Sequence, residues 1–137
     1  MRDEMEKPNE PLSSCKVRII NGYEDIVSEL NKIKEVIYVY NSEISNKGYY
    51  LKPVHKVYKL KNRNKIIYEY YGRYWWKKLD KKLIYSGVVK PKILPSPPEN
   101  PIEGLSIIRE GNDIVIDCNV YEKFKWVFKN KKIERTW

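Results

Sequence analysis

The spacing of hydrophobic and polar positions changes period along the chain, and each change predicts an element. Ile26, Leu30, Ile33, Ile37, Tyr40 and Ile44 recur at alternating steps of four and three, the spacing that lines one face of an α-helix. Asn21, with Glu24 three positions on, reads as an N-cap and capping box and predicts a helix over about 24–40. The run VIYVY at 36–40 is β-branched and aromatic, so a handover to a strand near Glu35 stays open. The seam fits a helix lying on the domain's own sheet, the favoured reading, or a dimer seam.

Asn46 and Gly48 signal a turn, and beyond them the period drops toward two. PVHKVYKLK (53–61), IIYEYYGRYWWKKL (66–79) and LIYSGVV (83–89), joined by the polar turns NRNK and DKK, predict a three-stranded antiparallel meander. VRII (17–20) predicts a further short strand. Gly72, inside the longest run, predicts a bulge or a close backbone approach. KPKILPSPPENP (90–101) holds five prolines and reads as a semi-rigid linker, with a proline-rich ligand as the less common use of such a segment. LSIIRE and IVID flank Gly111 and Asn112 as a hairpin. NVYEKFKWVFKNKK, started by Asn119 and Glu122, predicts a last helix with Tyr121, Phe124, Val127 and Phe128 as its apolar stripe. The fold class is therefore α+β: a meander packed by one helix, then a proline-rich linker and a small β-hairpin plus C-terminal helix. The expected division is a flexible acidic tail at 1–16, a basic aromatic unit at 17–89, a linker at 90–103 and a hairpin–helix unit at 104–137.

YEYYGRYWW (68–76) has six rings in nine positions. On a strand, neighbouring side chains point to opposite faces. Ile66, Tyr68, Tyr70, Gly72, Tyr74 and Trp76 then share a uniformly apolar face, the expected core side. Ile67, Glu69, Tyr71, Arg73, Trp75 and Lys77 share a mixed face, the expected outer side, with parity beyond Gly72 depending on a bulge.

Composition sharpens this. The chain has no Ala and no Gln, and its abundance of Lys, Asn, Ile and Tyr, residues read from AT-rich codons, makes genome bias one source of its charge. Codon bias alone would spread lysine evenly, yet the +9 net charge is not even: residues 51–92 carry 13 basic and 2 acidic side chains, against 7 and 9 in residues 1–50 and 7 and 7 in residues 93–137. A local basic block interleaved with rings points to a polyanion, nucleic acid before an acidic protein surface. Rings stack on bases, and Lys and Arg neutralise phosphates. The candidate contacts are Arg63, Lys65, Tyr71, Arg73, Trp75, Lys77, Lys78, Lys81 and Lys82, with Arg73 placed to reach a guanine edge if a strand enters the major groove. The competing structural explanation is a sheet packed on both faces with the lysines as solvated rim.

Cys15, Cys118 and His55 are too few for a zinc site of Cys and His. The two cysteines read as buried inert thiols ahead of a disulfide. No stretch approaches a membrane span, and the charged N-terminus has no apolar signal core, so a cytoplasmic location is expected, the host cytoplasm if the protein is viral.

Residues 57–89, VYKLKNRNKIIYEYYGRYWWKKLDKKLIYSGVV, run strand, basic turn, Tyr-rich strand, charged turn and a strand ending in Tyr85-Ser86-Gly87. This order resembles the N-terminal arm-type DNA-binding segment of tyrosine integrases from spindle-shaped viruses of thermophilic archaea, and small proteins of viruses and plasmids of those hosts. The resemblance covers about a quarter of the chain and implies a three-stranded sheet that lays a strand in the DNA groove, the 66–79 strand by position, with Arg73, Trp75 and Lys77 as contacts. The arginine–histidine catalytic set of the integrases is missing, so strand cleavage is not implied. Asp113 and Asp117, with Glu110 nearby, are the one set that suggests a metal-dependent nuclease, and they are few for it. The expectation is a non-catalytic protein without cofactor that binds double-stranded DNA and possesses a dimer option. The alternative is a factor that binds a host protein through the heptad helix or the proline-rich segment.

Overall fold

A computed structural model describes residues 15–136. The expected acidic tail therefore falls, apart from Cys15 and Lys16, outside the described residues. The chain runs β1 (Lys16–Ile19), α1 (Tyr23–Ile44), a 3-10 turn (Ser45–Lys47), β2 (Tyr49–Lys61), β3 (Asn64–Leu79) and β4 (Lys82–Gly87). It continues as β5 (Ser106–Glu110), β6 (Asp113–Asp117), α2 (Cys118–Phe124) and β7 (Ile133–Thr136). The class is α+β, and among the described residues the seven strands form one antiparallel sheet in the order β2-β3-β5-β6-β1-β7, with β4 joined to β3.

The meander is present as β2, β3 and β4, and β3 is the spine of the sheet. Along one edge it pairs with β2; along the other, residues 67–70 pair with β5 and residues 75–79 with β4. Between these two, Tyr71 exchanges backbone hydrogen bonds with Gly104 and Leu105, both at 2.9 Å. The hairpin of β5 and β6 thus belongs to the same sheet as the meander, and the expected linker, 90–103, is in part packed onto it. Leu94, Ile102 and Leu105 are buried, and the Asn100 amide donates to the carbonyls of Gly72 (3.0 Å) and Pro53 (3.2 Å). Composition marks this segment as extended; it cannot say that its few apolar side chains find a core.

Helix α1 passes through VIYVY without a break, because the end of the seam is anchored. Tyr40, Asn41 and Ile44 are buried, and the Asn41 amide bonds both the N–H and the C=O of Leu51 at 2.8 and 2.9 Å. The seam faces the sheet rather than a second helix: Ile26 and Leu30 join the main core, and Ile37, Tyr40 and Ile44 join a second cluster with Leu51, Trp75 and Leu94. The N-terminus differs from the expected capping box. Gly22 is the N-cap, and Asn21 takes a left-handed φ of 59°. The first helical N–H, that of Tyr23, donates to the carbonyl of Asn112 in the β5–β6 turn (3.0 Å). A Cβ on Gly22 would lie 2.8 Å from Ile19 Cγ2, so the close helix–strand approach requires glycine here.

At the C-terminal end the expected long helix is only Cys118–Phe124. The stripe survives, since Phe124, Val127 and Phe128 are buried, but the chain turns through Asn130 (φ 63°) and returns as β7 beside β1. The cysteines are not the buried inert thiols that were expected but a disulfide between Cys15 and Cys118. The pairing of Lys16 with Asp117 sets the residue before β1 against the residue after β6, with Cα atoms 5.5 Å apart, within bonding range. Among the described residues no helix is long and apolar enough to cross a membrane.

Candidate nucleic-acid interface

Which face of β3 is covered decides which rings are available. Both helices pack on one side, since residues of α1 and α2 share a core cluster with Val17, Ile19, Tyr71, Ile107, Ile114 and Ile116. Tyr71 and Trp75 point into that side and are 2% and 1% exposed. This corrects their assignment as stacking surfaces: neither ring can meet a base. The Trp75 ring packs edge-on to Tyr40 at 6.0 Å. The irregularity near Gly72 exists, between Lys52–Tyr74 and Val54–Tyr71, where β3 has one residue more than β2. Apart from Gly72 itself, the buried positions of β3 (Glu69, Tyr71 and Trp75) are odd-numbered on both sides of it.

The mixed face is the inner one because Glu69, its one fully buried charge, is satisfied there. Its carboxylate accepts from the Tyr71 hydroxyl at 2.5 Å and from the Tyr23 hydroxyl at 3.0 and 3.3 Å. Arg109 Nη1 lies 3.9 Å from the same carboxylate, with its guanidinium 3.7 Å above the Tyr23 ring. Burial first, and then the neighbouring carboxylate, push both tyrosines' pKa values up, so both stay hydrogen-bond donors.

The opposite, even-numbered face is the uncovered one: no helix lies over it among the described residues. It carries Tyr68, Tyr70, Tyr74 and Trp76 of β3, each half-buried. His55 stacks on both Tyr74 (5.2 Å) and Tyr85 (4.8 Å), and Lys52 Nζ sits 4.5 Å from the centre of the Trp76 ring. Burial among its neighbours holds the Tyr74 hydroxyl pKa above its ordinary value.

The basic candidates do not converge on one patch. Arg63 and Lys65 lie at the β2–β3 turn; Lys77, Lys78, Lys81 and Lys82 lie at the β3–β4 turn. These turns are at opposite ends of the 16-residue β3, about 50 Å apart at roughly 3.3 Å per residue. Lys78 donates to Ser45 Oγ on the helix side (2.9 Å), while Lys77, Lys81 and Lys82 are exposed. Arg73 is not an outward reader: its Nε lies 3.3 Å from Glu103 Oε1, in a hollow also lined by Glu99.

One end is built differently from the other. Toward the β2–β3 turn, β3 outruns β5, whose pairing stops at Ile67, so β2 and β3 continue alone as a two-stranded ribbon. All residues from 58 to 65, YKLKNRNK, are exposed. Asn62 and Arg63 both take positive φ (52° and 68°), as a tight two-residue hairpin turn requires. Lys59, Lys61, Arg63 and Lys65 crowd this tip without an acidic residue. Lys59 Nζ sits 4.9 Å from the centre of the Tyr68 ring, and Lys65 Nζ 4.2 Å from that of Tyr58, contacts that hold flexible cations in place. Sequence reasoning passed over Lys59, Lys61, Tyr58 and Tyr68. The available signal was a run of cations, free of acid, on both sides of one turn.

No protein family, curated protein or solved structure matches this chain.

The acidic candidates for metal binding are engaged elsewhere. Arg18 binds Glu110 and lies 3.5 Å from Asp113, and Lys16 binds Asp117. The Asp113 carboxylate also accepts the Asn21 N–H at 2.8 Å. Hydrogen bonding to Glu110 raises the Arg18 pKa further. Among the described residues no three His, Cys, Asp or Glu side chains converge as metal ligands do.

Proposed function

We propose that this protein binds double-stranded DNA without cutting it, and that the β2–β3 ribbon enters the major groove. The single observation that carries this reading is the exposed tip with four cations and no acid on a two-stranded projection. The major groove, about 12 Å wide, admits a two-stranded ribbon. Lys59, Lys61 and Lys65 neutralise phosphates, and Arg63, at the apex in place of Arg73, reaches base edges. The ringed face behind the ribbon extends the contact surface toward the backbone. The likeness of residues 57–89 to an arm-type segment supports the same role, that of a DNA-binding arm in a protein of an archaeal virus or plasmid. The host-protein alternative has less to stand on, because most of the heptad seam packs into the chain's own cores, as does Leu94 of the proline-rich segment.

The test is fluorescence anisotropy with a labelled duplex, comparing the parent with a variant carrying Lys59→Gln, Lys61→Gln, Arg63→Gln and Lys65→Gln. Loss of four phosphate or base contacts should weaken binding at least about 100-fold near 0.1 M salt. Lys77→Gln, Lys81→Gln and Lys82→Gln together should weaken it far less. Equal affinity of parent and ribbon variant would remove the ribbon as the site.

A further inference from the structure

The sheet has three strand edges without a partner strand among the described residues, and they are not alike. The β2 edge is blunted by Pro53, by Lys52, Lys56, Lys59 and Lys61, and by the Asn41 amide that occupies Leu51. The β7 edge carries Glu134 and Arg135. Charge, proline and side-chain cover are the usual protections against edge-to-edge pairing. The β4 edge has a charge only at its first residue, Lys82, and no proline. From Leu83 to Val89, LIYSGVV, there is no charge and no proline, in a chain of which 33% is charged. Every residue from 82 to 86 is exposed, as are Val88 and Val89.

We propose that two copies of this chain pair antiparallel along β4, about a two-fold axis, and join their sheets. The ladder has the right polarity for this. The β3–β4 hairpin closes on the Leu79–Lys82 pair. By the alternation of an antiparallel ladder, Leu83 and Tyr85 then aim their N–H and C=O groups at the free edge. A two-fold pairing presents the same groups from both sides and closes at the dimer. Charge selects the direction. Antiparallel pairing sends the Lys81–Lys82 tips of the two copies to opposite ends of the joint, each beside the other's uncharged Gly87–Val89; parallel pairing would stack the four lysines. Lys90 is drawn away from the joint, its Nζ donating to the carbonyls of Leu94 (2.6 Å) and Pro91 (3.1 Å). This joint is independent of DNA binding and replaces the helix seam as the dimer surface.

Sedimentation of the full chain without DNA tests it, at concentrations from about 1 to 300 µM, the range in which a small interface associates. The mass should rise toward twice 16.5 kDa and stop there. Leu83→Pro removes an outward N–H, and Ser86→Lys sets a charge at the joint. Each variant should stay monomeric while keeping the parent's circular dichroism and, at concentrations low enough for the parent to be monomeric, its melting curve. Ser86→Lys spares the backbone, so a misfolded Leu83→Pro variant does not weaken the test. A parent that remains monomeric throughout overturns the proposal. So does growth past the dimer, or self-association unchanged in Ser86→Lys. A parent that captures an extended segment of another protein without self-association overturns it as well.

Discussion

Replacing Glu69 tests which face of β3 is inside, and with it which rings can meet a ligand. Glu69→Ala removes the acceptor for two phenol hydroxyls and the counter-charge beside Arg109. The stranded Tyr71 hydroxyl is buried and has no water to turn to. Leaving such a donor unsatisfied costs about 1–3 kcal/mol, and breaking a buried charged pair by deleting one partner costs about 3–5 kcal/mol. Tyr23 and Arg109 are partly exposed and recover some hydration, which places the total near the lower end, about 3 kcal/mol. Glu69→Gln keeps the shape and one acceptor oxygen, so it should cost about half as much; Tyr71→Phe, which deletes one bond to a charged group, should cost about 1.5–3 kcal/mol. Because Tyr71 and Glu69 share a bond, their double variant should be less destabilised than the sum of the two singles. Urea unfolding followed by tryptophan fluorescence and by circular dichroism measures all four. A loss below about 0.5 kcal/mol for Glu69→Ala is what an exposed surface carboxylate would give. That result would turn the strand over, bring Tyr71 and Trp75 back to the surface and bury the rings now described as open.

Two further outcomes follow from charge and crosslinking. The Cys15–Cys118 disulfide spans a sequence separation of 103 residues, so removing it should cost up to about 4.7 kcal/mol on the chain-entropy estimate; thermal melts with and without reductant, and of Cys118→Ser, read the loss, and an unchanged melting temperature would contradict it. Asp25 has its pKa raised, chiefly by burial, against the pull of Lys131 3.7 Å away, and its Oδ2 has no hydrogen-bond partner. A raised carboxyl pKa means the folded state holds the proton longer than the unfolded one, so Asp25 lowers stability as pH climbs from its unfolded value, about 3.9, through its folded value. Asp25→Asn should therefore match the parent at pH 3 and be more stable at pH 7 in denaturant titrations; a variant less stable at pH 7 would show that the Lys131 attraction dominates.

Much of the framework was legible because local signals and the final pairing agreed. NRNK and DKK closed two hairpins, Gly111–Asn112 a third, and the seam from Ile26 to Ile44 faced its own sheet. What failed was decided by long-range partners. The even face of the aromatic strand looked like the core because it is uniformly apolar, yet the odd face is inside, since Tyr23 and Arg109, distant in sequence, satisfy Glu69. Strand β7 offers almost no alternation; it exists because the edge of β1 is open to it, with the Ile20 N–H bonded to the Lys132 carbonyl at 3.0 Å. The basic residues were legible as a block but not as a surface. The length of β3 separates them, and only the early end of β5 leaves one of the two tips projecting.

The most direct measurement is the salt dependence of duplex binding by the parent and by Arg63→Gln. With Lys59, Lys61 and Lys65 at phosphates, the logarithm of the association constant should fall with the logarithm of salt with a slope of about −2.7, roughly a 40-fold loss between 50 and 200 mM, and with a slope of about −3.6 if Arg63 joins them there. Arg63→Gln should shallow that slope by about 0.9 if Arg63 touches a phosphate; if it reads a base instead, it should keep the slope and lose about 1–3 kcal/mol of preference for one base pair. A parent whose binding ignores salt, or an Arg63→Gln variant that changes neither slope nor preference, would contradict DNA recognition by the ribbon.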